Sequence, residues 1–312
     1  MMKVLVVCSF KEGFDGNMAP FIKEQVDAVR SRGVDCECFL VKGKGVFGYL
    51  GNLKALKRTI SSFRPEVIHA HYGLCGLLAN LQRKVPVLTT YHGSDLNDPR
   101  IRFFSRVAMH LSKWNIFVSR KTMDIVKPNK RYALLPCGVD LVDSQLTGKR
   151  EARQAMHLDF EKRYVLFAGA FDNLVKNVSL AKEAVALLHV QEVELLELKG
   201  YSREEVVLLM CAVDVLLMTS INEGSPQVVK EALACGCPIV SVDVGDVRER
   251  IDGVEGCFVA QTREPQELSV MLEKAMGFEG KTKGRNKVVE DGMDNCHVSQ
   301  QLVTLYEKVC VG

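Results

Sequence analysis

The sequence predicts an α/β protein built as two successive doubly wound parallel sheets. Three observations carry that reading. Short β-branched apolar runs recur from end to end, most of them stopping near Gly, Ser or Pro. Amphipathic stretches of helical period lie between them, the pattern of a parallel sheet covered on both faces. A polar, charge-rich stretch without strong periodicity, Val142–Arg163, interrupts this alternation before it restarts. At 312 residues the chain also suits two domains, at ~100–200 residues each.

The elements follow in order. Val4–Val7 is the first strand, followed by a Gly16-Asn17 turn and an amphipathic helix over Ala19–Ser31. Cys36–Val41 is a second strand, and a loop rich in Gly, Lys and aromatics, Lys42–Gly51, leads into a helix over Leu53–Phe63. Val67–Ala70, Val85–Thr90, Ile116–Val118 and Tyr132–Leu135 complete the first set of strands. After the interruption, strands are expected at Tyr164–Ala168, Val193–Leu198, Val215–Thr219, Pro238–Val242 and Cys257–Val259. Helices lie near Val178–Leu188, Arg203–Ala212 and Pro226–Cys235. The expected division is 1–145, 146–296 and a closing helical segment 297–312, for which packing back on the first domain is one option. Two such sheets facing one another would hold a ligand in the crevice at their strands' C-terminal ends.

Composition narrows the function classes. The chain is 47% hydrophobic and 25% charged, with 41 basic and 38 acidic residues. That is enough apolar material for a core, and too little net charge to argue for nucleic acid. The +3 total conceals a split, because residues 1–150 carry +12 and the remainder −9. A basic first half fits an anionic partner on that side alone. The eleven cysteines are odd in number and scattered through apolar segments, which reads as buried thiols in a reducing cytosol rather than disulfides or zinc. Val4–Cys8 is too short for a signal segment, and Val206–Met218, broken by Asp214, is too short to span a membrane. The expected location is cytoplasmic, or peripheral at the inner face of a membrane.

The sharpest local feature is Ser220-Ile-Asn-Glu223-Gly224-Ser225-Pro226-Gln227-Val-Val-Lys-Glu231-Ala-Leu-Ala-Cys-Gly236-Cys-Pro238. It follows a strand and opens a helix, with Ser225 expected at the N-cap and Pro226 at the first helical position. Gly236 closes that helix. Free N–H groups and a positive dipole end favour phosphate there. Two carboxylates beside a phosphate site make sense if they accept hydrogen bonds from hydroxyls of the same ligand. A nucleotide sugar supplies that combination, while an ordinary capped helix with surface glutamates is the plain alternative.

These residues resemble the E-x7-E signature of retaining glycosyltransferases of the GT-B fold, the group 1 or family 4 type, with Glu223 and Glu231 at the two glutamate positions. The preceding Asp214-containing strand and the following Ala234-Cys-Gly236-Cys-Pro238 segment are similar to that family's flanking motifs. So are His69-Ala-His71-Tyr72-Gly73, Tyr91-His92-Gly93-Ser94-Asp95 and Pro136-Cys137-Gly138-Val139-Asp140 in the first half. The resemblance spans most of residues 65–260. It implies two Rossmann-like domains across a cleft and a metal-independent transfer of a hexose with retention. The donor would be a UDP-, GDP- or ADP-sugar and the acceptor a saccharide or lipid-linked hydroxyl of surface polysaccharide or glycolipid synthesis, with no cofactor.

The resemblance also implies roles. Glu223 would contact the donor sugar and Glu231 the ribose, while Gly224, Ser225, Pro226 and Gln227 would hold the diphosphate. Lys176 would neutralise the leaving diphosphate, His92 would sit over the sugar, and Gly16 would approach phosphate or acceptor. The family's Arg before that Lys is absent, since Gly169-Ala-Phe-Asp-Asn-Leu-Val-Lys176 stands there with one extra residue. The segment from Lys176 to Asp214 is also short for the family.

No Asp-x-Asp motif offers a metal site, and a Lys with a helix dipole can stabilise a departing diphosphate instead. His69 and His71 are read as pointing to opposite faces of their strand and therefore as acting separately, one packed and the other a candidate cleft residue. Lys54, Lys57 and Arg58 share one helix. Arg100, Arg102, Arg106 and Lys113 lie on or beside another, with Phe103, Phe104, Val107 and Leu111 expected to face the core. An anionic membrane surface is the sharper reading of both. The competing functions are a nucleotide-sugar epimerase of the same fold and a degenerate, non-catalytic sugar-nucleotide binding protein. A dinucleotide oxidoreductase is disfavoured, because Lys11-Glu-Gly-Phe-Asp-Gly16 replaces the Gly-x-Gly-x-x-Gly turn.

Overall fold

A computed structural model describes residues 1–128, 131–141 and 148–311. They form two compact units, one of Met1–Gly138 with the segment from Asn295 onward, the other of Val139–Asp294. The division expected at 145/146 falls outside the described residues.

The first unit runs β1 (Lys3–Ser9), α1 (Pro20–Arg30), β2 (Asp35–Val41), α2 (Gly45–Leu50), α3 (Leu53–Phe63), β3 (Val67–His71) and α4 (Gly73–Asn80). It continues through β4 (Val87–Tyr91), α5 (Ser94–Asn97), α6 (Pro99–Leu111), β5 (Trp114–Phe117), α7 (Arg120–Val126) and β6 (Tyr132–Leu134). The second runs α8 (Lys149–Ala155), β7 (Arg163–Phe167), α9 (Val178–Ala186), β8 (Val193–Glu197), α10 (Arg203–Ala212), β9 (Val215–Met218) and α11 (Gln227–Cys235). There follow β10 (Ile239–Val242), α12 (Val247–Ile251), β11 (Cys257–Ala260), α13 (Pro265–Met276) and α14 (Gly284–Glu290), before α15 (Asn295–Val311) rejoins the first unit.

Both sheets are parallel and Rossmann-like. The first has the order β2-β1-β3-β4-β5-β6 and the second β11-β10-β9-β7-β8. Each order reverses direction once, between β1 and β3 in one sheet and between β7 and β9 in the other. Loops leaving the C-terminal ends of strands at such a reversal diverge to opposite faces and leave a crevice for ligands.

In β1, side chains alternate between two buried faces. Val4, Val6 and Cys8 join a core with α1 and with Val298, Leu302 and Tyr306 of α15. Leu5 and Val7 join another with Leu56 and Leu78 of α3 and α4. α4 lies close against α6, and glycine is what permits it: a Cβ at Gly73 would stand 2.0 Å from Ser105 Oγ. Small residues therefore face inward on α6, where Ser105 and Ala108 are buried. The expected apolar core face of that helix is corrected accordingly, since Phe103 is 65% exposed and Val107 also faces outward.

The stretch expected to lack periodicity contains α8, which is held by charge rather than by an apolar stripe. Its Arg153 and Lys149 reach Asp214, just ahead of β9, at 2.9 and 2.6 Å. Arg163 at 3.0 Å and the Tyr164 backbone N–H at 2.7 Å complete the shell. Burial pushes the Asp214 carboxyl up, but hydrogen bonds from Lys149, the Tyr164 N–H and Arg163 outweigh it and hold the group below its ordinary value.

Candidate active site

The loops after β7 and β9, which flank the reversal in the second sheet, carry Lys176 and Glu223. They are stitched together by backbone bonds. The Ile221 N–H donates to Val175 O at 2.8 Å, and Thr219 Oγ1 donates to the carbonyls of Lys176 and Asn177 at 2.9 Å. Lys176 Nζ then meets Glu223 Oε1 at 2.8 Å, with both side chains about one-fifth exposed. Two glycines shape this contact. A Cβ at Gly169 would collide with the Lys176 side chain, and one at Gly245 would stand 2.8 Å from the Gly224 carbonyl.

α11 begins one residue later than the sequence suggested. Pro226 occupies the N-cap position in extended geometry, and no side chain caps the helix. Ser225 is therefore not the cap, and its buried Oγ has no hydrogen-bond partner. The reason lies in Pro226 itself, whose backbone is extended at φ −67° and ψ 120°, so the first helical residue is Gln227. The same is true of the hydroxyl of Ser220, 1% exposed and without a partner. Unpaired buried hydroxyls beside a helix N-terminus leave this end of α11 with unused hydrogen-bonding capacity. Gly236 closes the helix in left-handed geometry at φ +71°.

Glu231, just over one turn into α11, pairs with Arg203 Nη1 at 2.7 Å. Arg203 is the first residue of α10, inside the Ser202–Glu205 capping box. Arg263 donates to the backbone carbonyls of Thr219 and Ser220 at 3.3 and 3.0 Å, fixing the loop that carries Glu223. Sequence reasoning missed both arginines. The capping box marks where Arg203 sits, but neither partner is close in the chain.

Lys176, Glu223, Gly224, Ser225, Pro226, Gln227 and Glu231 thus gather at the β7/β9 end of the second unit. Gly16 and His92 belong to the first. Gly16 lies in a 3-10 turn after β1, at φ +64°. His92 follows β4, and its ring packs against Tyr72 and Phe21 with centroids 4.5 and 5.1 Å away. Its Nε2 lies 3.0 Å from His71 Nδ1 and its Nδ1 3.6 Å from Cys137 Sγ. The reading of His69 and His71 as opposite-facing is wrong, because residues two apart on a strand share a face. Their rings stack at 4.4 Å. His69 is bonded through both nitrogens, to Tyr306 Oη at 2.7 Å and Thr90 Oγ1 at 2.8 Å.

Burial lowers both histidines, His71 to about 3, with further lowering of His69 by His71 and His92. Asp95 accepts the backbone N–H groups of Gly73, His92 and Gly93 at 2.9–3.1 Å. Burial nonetheless raises its carboxyl to about 6. Among the described residues, no group of three or more His, Cys, Asp or Glu side chains is placed to hold a metal ion. No described helix is long and apolar enough to cross a membrane.

Comparison with known proteins matches residues 6–143 to Glycosyltransferase Family 4 and residues 191–276 to Glycosyl transferases group 1. TuaC of Bacillus subtilis (strain 168), a glycosyltransferase whose name assigns it provisionally to teichuronic acid biosynthesis, is 26% identical over 229 residues. That alignment covers 62% of this chain and 57% of TuaC, so the chain matches little more than half of that relative's length. Sucrose-phosphate synthase from Thermosynechococcus elongatus superposes with a TM-score of 0.80 at 15% identity, covering 99% of both chains. Anabaena HepE, solved in complex with UDP-glucose, superposes with a TM-score of 0.71 at 16% identity over 99% of this chain and all of HepE. The fold is GT-B, and the two family matches support a glycosyltransferase.

Proposed function

We propose that this chain transfers a hexose from a nucleotide-diphosphate sugar to a hydroxyl acceptor with retention and without a metal. The observation that carries the proposal is the gathering of Lys176–Glu223, Arg203–Glu231 and the uncapped start of α11 at one end of the second sheet. Each part suits one portion of such a donor. The N–H groups opening α11 and the ammonium of Lys176 take the diphosphate, whose charge they stabilise as it leaves. Glu223 and Glu231, now paired with Lys176 and Arg203, accept from sugar and ribose hydroxyls. In the transfer, the bond from the anomeric carbon to the phosphate oxygen breaks and a bond to the acceptor oxygen forms on the same face. The acceptor's proton passes to the departing phosphate oxygen. His92 is assigned to the sugar, and Gly16 to the donor phosphate or the acceptor.

HepE was solved in complex with UDP-glucose, which makes UDP-sugars the first donors to test. A lipid-linked acceptor is supported by the first unit's exposed faces. Phe47 is 91% exposed, and its neighbourhood from Cys38 to Pro65 holds six basic and no acidic residues.

The experiment is a thermal-shift panel of UDP-, GDP- and ADP-sugars on the whole chain, with donor-only incubation and anionic-vesicle sedimentation at low and high salt as parallel arms. Stabilisation by one nucleotide class, diminished in Glu231→Ala, is the expected result. If no nucleotide sugar stabilises the protein, the transferase reading fails. An isomerised donor in the donor-only arm would replace it with an epimerase, and salt-insensitive or absent sedimentation would remove the lipid surface.

A further inference from the structure

The first unit holds a buried titratable group that the proposed chemistry leaves unused. His71 is 1% exposed, and its Nδ1 meets His92 Nε2 while its Nε2 has no partner. We propose that His71 is a positioning residue that fixes His92 as the neutral tautomer protonated on Nδ1. The inference rests on the assignment of His92 to the donor sugar made above.

The argument is one of hydrogen-bond bookkeeping. A neutral imidazole carries one proton on one of two nitrogens, and the hydrogen bond made by the other decides which. His71 is neutral, since burial lowers it to about 3. Were its proton on Nε2, a buried N–H would face no acceptor, and orphaned buried donors are rarer and costlier than an unfilled lone pair. The proton therefore sits on Nδ1 and is donated across 3.0 Å to His92 Nε2. His92 Nε2 must then accept, so its own proton lies on Nδ1, directed at Cys137 Sγ 3.6 Å away.

Protonating His92 on Nε2 would set two N–H groups against each other. The surrounding groups add to this arrangement. His69 stacks behind His71, Tyr72 lies against the His92 ring, and Asp95 accepts the His92 backbone N–H rather than a ring proton. A sugar losing its phosphate gains positive charge at the anomeric centre. An uncharged imidazole can stand beside that centre without repelling it, whereas an imidazolium cannot. Both ring nitrogens are occupied from within the unit, so the part of His92 left for a ligand is its face and C–H edge. Cys137 belongs to the same device, with its Sγ placed to accept the Nδ1 proton.

The test is nitrogen-15 spectroscopy of histidine-labelled whole protein, with the His92 signals identified by their loss in His92→Gln. A protonated Nδ1 and an unprotonated Nε2 on His92 are expected. His71→Leu should abolish that preference, giving averaged or exchanged nitrogens, and His71→Asn, whose amide can donate from a similar position, should restore it. A wild-type His92 protonated on Nε2, or an unchanged spectrum in His71→Leu, would overturn the proposal. If His71→Leu does not fold, the wild-type tautomer decides alone. In turnover, His71→Leu should lower kcat and leave the donor KM in place, with recovery in His71→Asn. Should the protein prove not to be a transferase, the spectra still report the tautomer, so the two failures are separable.

Discussion

Asp95 in the first unit and Asp214 in the second are equally hidden from solvent, each 3% exposed. Their carboxyls move in opposite directions. Asp95 is offered only neutral backbone N–H groups, and burial raises it to about 6. Asp214 meets Lys149, Arg153 and Arg163 together with one backbone N–H, and it falls below its ordinary value. The charge of the partners, not the depth of burial, sets the direction. The contrast extends to the rest of each unit. His69 and His71 are held neutral by burial, whereas Lys176–Glu223 and Arg203–Glu231 are half-buried ion pairs. Burial keeps the stacked histidines of the first unit uncharged, while the second unit holds ion pairs that the proposed charged, hydroxyl-rich ligand would exchange for its own contacts.

Removing the most heavily paired ion should break this comparison most visibly. Asp214→Ala strands Arg153, whose side chain is 7% exposed, and is expected to cost about 3–5 kcal/mol in urea unfolding. A loss under about 1 kcal/mol would make the network no stronger than a surface one. Glu223→Gln should do the reverse. It loosens a pair that is partly open to solvent, so stability should change by less than about 1 kcal/mol, while turnover with the best donor falls on the order of 10²-fold. Equal losses of turnover and stability would place Glu223 with Asp214 as a structural ion.

The third effect is the pH dependence carried by Asp95. Its folded value lies above the unfolded value of 3.8, so the folded state binds this proton more tightly. Its contribution is therefore complete below pH 3.8 and is lost as pH rises through about 6, a decline on the order of 3 kcal/mol. Asp214 runs the other way: its contribution is present above 3.8 and drains as pH falls through its lower folded value. Urea unfolding from pH 4 to 7 should show the first slope, and Asp95→Asn should flatten it. A slope that survives in Asp95→Asn would assign it to another group.

The sheets were legible because buried parallel strands read as unbroken apolar runs, and every strand expected at Val4, Cys36, Val67 or Val215 lies within two residues of its observed start. The expected helix over Arg203–Ala212 has the observed bounds. What escaped is held by contacts between distant residues. α8 has no apolar stripe to betray it, and its anchor Asp214 lies about sixty residues on. Arg203 and Glu231 meet across two helices, and neither sequence neighbourhood names the other. The Ser225 cap differs for a local reason, since Pro226 takes the extended ψ of 120° instead of a helical one and so occupies the cap position itself. The histidines were misread through strand periodicity itself: their spacing of two is what stacks them.

The return of α15 to the first unit has a consequence for the order in which a nascent chain can complete its parts. The second unit, Val139–Asp294, is contiguous and has all its strands once Asp294 has left the ribosome. The first unit's six strands emerge earlier, yet one face of its sheet lacks Val298, Leu302 and Tyr306 until the last helix is made. Tyr306 is also the partner of His69 Nδ1. The histidine stack therefore gains the Tyr306 hydrogen bond only after the whole second unit has been made, so the unit that begins first is completed after the one that begins second.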